Sequence, residues 1–84
     1  MPTEDAYRQL AEMLRGHVPD DIVALYESYL NEVEEKLALE ELFDALEAQD
    51  IRIPVEAAQR LWSLARSWSI DRFTEADVVS LIAK

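Results

Sequence analysis

The sequence predicts an all-α fold, a compact bundle of four to five short helices. Three observations lead there. Apolar residues recur at three- and four-residue spacing along most of the chain, and strict alternation is absent. Punctuation is sparse, since a single glycine (Gly16), Asn31 and prolines 2, 19 and 54 leave segments of helical length between them. The 84 residues, half of them hydrophobic, supply one modest core and leave no room for a second. The expected organisation is a single helical domain over residues 1–84.

The first helix is expected from Thr3 to about Arg15. Thr3 suits the N-cap, and Glu4 and Asp5 complement the positive end of the helix dipole. Tyr7, Leu10, Ala11 and Leu14 form its inward stripe, and Gly16 stands where a left-handed residue ends a helix. The second helix is expected from Asp20 to about Leu30, with Ile22, Leu25, Tyr26 and Tyr29 facing inward. Asn31 is expected to end it, because Asn tolerates the left-handed position better than any residue except Gly; without that break residues 20–48 form one long helix, and the shift of the apolar stripe across Asn31-Glu32-Val33 favours the break. The third helix is expected over Val33–Ala48, with Leu39, Leu42, Phe43 and Leu46 inward and Ala38 and Ala45 allowing close approach of a neighbour.

Asp50-Ile51-Arg52-Ile53 reads as a short extended connector, because the residue before a proline is pushed out of the helical region. Pro54 opens the fourth helix, which runs to about Ser67 on a stripe of Ala57, Leu61, Leu64, Ala65 and Trp68, with Trp62 at the edge. The last helix begins at Thr74, paired with Asp77 in the manner of a capping box and stapled by Phe73. Val78, Leu81 and Ile82 face inward.

Composition excludes several functions. The absence of cysteine removes disulfides, thiolate metal sites and cysteine nucleophiles, and fits a reducing, cytoplasmic compartment. No apolar run is long enough to span a bilayer, and the acidic start Met1–Asp5 is unlike a secretory signal. A net charge of −10 argues against nucleic-acid binding, which requires cations to displace counterions from phosphates. His17, the one histidine, has no nucleophile pattern beside it. There is no H-E-x-x-H, no glycine-rich phosphate loop, no G-x-S-x-G and no calcium loop. Acyl carrier proteins share the size and acidity, but they carry their group on the serine of Asp-Ser-Leu. Here Ser28 reads Glu-Ser-Tyr and Ser80 reads Val-Ser-Leu. The expectation is a protein that is not an enzyme and holds no cofactor and no metal.

The acid is concentrated. Residues 20–50 hold eleven acids against Lys36 alone, a sum of −10, while 1–19 sum to −1 and 51–84 to +1. Such a block lowers stability by self-repulsion and suits either solubility or a basic partner.

The stretch Leu37-Ala38-Leu39-Glu40-Glu41-Leu42-Phe43-Asp44-Ala45-Leu46, followed by Asp50-Ile51-Arg52-Ile53, resembles the core of MafI-type immunity proteins. These are small acidic helical proteins of bacterial polymorphic toxin systems. The resemblance covers about residues 18–66 and departs from the family at Asn31-Glu32, where a Gly-Glu turn is usual. Colicin nuclease immunity proteins are similar in size and acidity, but their adjacent tyrosines are absent, since Tyr26 and Tyr29 lie three apart. The resemblance implies an immunity protein that binds and neutralises a cognate, basic, nuclease-type toxin in the cytoplasm.

The candidate partner-binding residues are Glu34, Leu37, Glu40, Glu41, Asp44 and Glu47, which share a side of the third helix. Leu37 reads either as an apolar anchor within an acidic rim or as a core residue buried against a neighbour. Trp62 likewise suits an interface or a half-buried core position. Arg60 and Arg66 are candidates to pair with third-helix acids and so reduce the face's field. The alternative function is a non-catalytic helical adaptor or regulatory protein with an apolar interface. The expected state is a monomer or weak homodimer.

Overall fold

The computed structural model describes residues 3–83. Met1, Pro2 and Lys84, which enter the charge tally and the reading of the N-terminus, lie outside the described residues. Among the described residues the chain is all-α: α1 (Glu4–Leu14), α2 (Asp20–Asn31), α3 (Glu35–Ala48), α4 (Val55–Ser67) and α5 (Glu75–Val79). No described helix is long and apolar enough to cross a membrane. α2 and α3 form the most extensive pair, α1 packs on α2 and α4, and α5 leans on α4.

One apolar cluster runs through all five helices and every connector except the one between α2 and α3. Leu10 and Leu14 of α1, Val23 of α2, Leu39 and Leu46 of α3 and Leu61 of α4 are fully enclosed. Ala38, Ala57 and Ala65 are buried too, and their small side chains bring neighbouring backbones close. The stacked rings of Phe43 and Phe73, with centroids 4.2 Å apart and planes 12° from parallel, fasten the α4–α5 connector to α3. Among the described residues, buried side-chain polar atoms are matched. Tyr26 Oη donates to the Tyr7 carbonyl at 3.0 Å, and Trp68 Nε1 donates to the Tyr7 hydroxyl at 2.6 Å.

The helix ends differ from expectation in an instructive way. Gly16 takes the expected left-handed φ of 84°, but within a type II turn and not as a helix C-cap: Arg15 before it is extended, at φ −61° and ψ 133°, and His17 N–H donates to the Leu14 carbonyl at 3.0 Å. Asn31 is not left-handed. It closes the last turn of α2, and its side-chain carbonyl accepts a hydrogen bond from Arg8 at 2.6 Å. Leu30 must stay helical to reach the core, so the turn falls later and Val33 takes the left-handed position at φ 59°. The α3 helix consequently begins at Glu35, not Val33. Val33 N–H bonds the Leu30 carbonyl and Glu34 N–H bonds the Tyr29 carbonyl, the paired bonds of a Schellman motif. The same pair of bonds ends α3 at Asp50 and α4 at Ser69, both also left-handed. Three helices thus use a non-glycine residue where glycine is favoured, and a β-branched one at Val33 costs about 1–2 kcal/mol.

At the starts, Thr74 and Asp77 form a reciprocal capping box. Thr3 makes no side-chain cap; its carbonyl accepts from Ala6 instead. Pro54 stands at the N-cap position and α4 begins at Val55. Ile53 is buried and exchanges backbone bonds of 2.8 Å with Leu81 and Ala83, which ties the α3–α4 connector to the end of the chain. Arg52 reinforces this by donating to the Ser80 carbonyl.

The inward face of α2 also differs. Val23 and Leu30 are buried, whereas Leu25 is 45% exposed and Tyr29 is half-buried. Both sets satisfy helical spacing, and packing against α3 selects the one rotated toward Val23.

Candidate functional site

α3 buries Ala38, Leu39, Leu42, Phe43 and Leu46. At 100° per residue, Leu37, Glu41 and Asp44 then fall on the opposite side of the helix, with Glu34 at its N-terminal edge and Glu40 and Glu47 on one flank. Glu34 and Glu47 are exposed, and Leu37, Glu40, Glu41 and Asp44 are half-buried. The six candidate residues therefore share one acidic strip along α3. Leu37 lies outside the core cluster and interrupts the acids with a half-buried apolar side chain.

The strip keeps most of its charge. Asp44 is the one candidate acid with a described cation in ion-pair reach, the Arg72 guanidinium at 2.6 Å. Arg60 and Arg66, the cations expected to reach α3, form no ion pair with it among the described residues; Arg72 does so from the α4–α5 connector. Elsewhere in residues 20–50, Glu27 is held by Arg15 at 2.9 Å and Asp50 by Arg52 at 3.3 Å. The other eight acids of this segment have no described cation within 4.0 Å. Arg15 also bonds Glu12, and the contacts with Glu12 and then Glu27 raise its already high pKa.

At the head of the strip, Val33 is 75% exposed between Glu32 and Glu34. Its accessibility was hidden in the sequence because a β-branched residue gives no sign of a left-handed turn. Glu34 is anchored by its backbone: its N–H reaches Tyr29 and its carbonyl accepts from Ala38 at 2.8 Å. That fixes where the strip begins relative to α2. Among the described residues, no three His, Asp or Glu side chains converge as metal ligands.

The chain matches no protein-family model, no curated protein and no solved structure.

Proposed function

We propose that this protein is an immunity protein that binds and neutralises a cognate bacterial toxin with a basic surface, in the cytoplasm and without catalysis. The observation that carries this reading is the α3 strip, where four of five candidate acids have no described cation to offset them. Uncompensated acids on one helix face steer a basic protein toward it and speed encounter. Leu37 supports a second stage. Once the charges have aligned the partner, the half-buried leucine inside the acidic rim supplies the apolar burial that slows dissociation. The resemblance of Leu37–Leu46 and Asp50–Ile53 to MafI-type immunity proteins points the same way.

The test is genetic. The gene beside this one is expected to encode a protein with a toxic, basic C-terminal domain. Co-expression with the present protein restores growth, and the Glu34→Lys/Glu41→Lys variant restores it poorly. Growth arrest that persists despite abundant folded protein rejects the reading.

A further inference from the structure

The last ten described residues hold on to the rest of the chain at one place. Thr74–Ala83 contains α5 and the residues after it, and it encloses only two side chains, Val78 and Leu81. Phe73, just before it, belongs to the body, because it is buried and stacked on Phe43. The Thr74–Asp77 capping box lies wholly within the segment, as does the bond from the Ser80 hydroxyl to the Asp77 carbonyl. Among the described residues, three hydrogen bonds join the segment to the body, all at the α3–α4 connector. Ile53 N–H donates to the Leu81 carbonyl, Ala83 N–H donates to the Ile53 carbonyl, and the Arg52 guanidinium donates to the Ser80 carbonyl. Open hollows of about 260 and 470 Å³ border the segment, one against Ala58 and Trp62 of α4 and one against Arg52. Solvent therefore reaches its seams with both α4 and the connector.

We propose that Thr74–Ala83 is a strap that opens and recloses as a unit while α1–α4 stay folded. Enclosing two aliphatic side chains offsets little of the cost of ordering ten residues, and α3 by comparison encloses five. A segment with few enclosed apolar groups and solvent-lined hydrogen bonds opens below the free energy of global unfolding. The Phe43–Phe73 stack sets the hinge, since it keeps Phe73 on α3. The bonds at Ile53 form the latch at the far end. Opening strips Ile53, which is otherwise fully enclosed, of both backbone partners and uncovers Ala58 beside Val78. The strap is thus a lid over the α3–α4 connector, and the interior first becomes accessible there. It uses none of the α3 acids, so it stands or falls independently of toxin binding.

Hydrogen exchange of the full chain, followed residue by residue by NMR under native conditions, tests this. The Ile53 and Ala83 amides should share one protection factor, at least about tenfold below those of Leu39 and Leu42 in α3. Asp77→Ala breaks the capping box and should lower protection at Ile53 and Ala83 together, by roughly fivefold, although Ile53 lies outside α5. Val23→Ala, at a buried position of α2, should lower protection at Leu39 and Leu42 by roughly tenfold and leave Ile53 and Ala83 unchanged, because the body stays folded when the strap opens. An Ile53 amide as protected as that of Leu39 overturns the proposal. So does an Asp77→Ala variant with Ile53 unchanged, since the chain end would then fray without α5. A Val23→Ala variant in which Ile53 falls with Leu39 also overturns it, since the strap would then open only with the whole chain.

Discussion

The Arg72 guanidinium meets the Asp44 carboxylate at 2.6 Å and places one positive charge against the acidic strip of α3. The contact joins two parts of the chain that the Phe43–Phe73 stack already holds together. It therefore has little left to order, and its main consequence is electrostatic. Both side chains are also substantially exposed, at 48% and 38%, so solvent screens the pair.

Arg72→Ala is accordingly expected to change unfolding free energy by less than about 1 kcal/mol in urea titrations. The same variant should associate faster with a basic partner at low salt, because Asp44 is released and the field of the strip grows. Slower association would mean that Arg72 contacts the partner itself.

Val33 offers a stabilising substitution. Its side chain is 75% exposed and its φ is 59°, so Val33→Gly relieves backbone strain and removes almost no burial. Chemical denaturation should show a gain of about 1 kcal/mol. If Val33 also touches the partner, binding weakens as stability rises, and the two measurements separate the roles.

This position also shows where sequence reasoning reaches its limit. Helical spacing alone exposes the bundle, and Gly16 and the Thr74–Asp77 box are legible because each involves residues chosen for one local geometry. Val33, Asp50 and Ser69 are not so legible. Their left-handed turns arise from where Leu30, Leu46 and Leu64 must sit in the core, a tertiary demand that overrides local preference. Leu25 is expected inward and stands exposed for a related reason, since two overlapping stripes on α2 fit the same period. The acidic strip was readable residue by residue, but Arg72 as its counter-charge depends on the fold bringing residue 72 to residue 44.

Tyr26 should make stability fall at high pH. Burial, the largest cause, and then the nearby Tyr7 raise its phenol pKa well above the ordinary value of 10.0. Below about pH 10 the phenol is protonated in both states and pH has no effect through it. Above that value the unfolded chain releases the proton while the folded chain retains it, so stability is lost as pH rises. Tyr26→Phe should flatten this alkaline decline in denaturation midpoints measured at pH 8 and above. An unchanged slope would place the titration elsewhere.

Tyr7 serves two donors, its hydroxyl receiving the Trp68 indole and its carbonyl receiving Tyr26. Tyr7→Phe removes only the first acceptor and leaves the half-buried indole N–H without a protein partner. The expected loss is about 1 kcal/mol, with a change in tryptophan fluorescence as the second readout. A variant as stable as the parent would show that water replaces the hydroxyl without loss.

The α3 strip is proposed to capture a basic toxin by charge. Stopped flow across ionic strength, with the basic toxin proposed to be encoded by the adjacent gene, gives the association rate that tests this. The parent protein should associate quickly at low salt and slow steeply as salt rises. Glu34→Lys/Glu41→Lys should associate more slowly at low salt and show a shallower salt dependence, with dissociation less affected. Identical association rates and salt dependence for the two proteins would rule out capture by the strip.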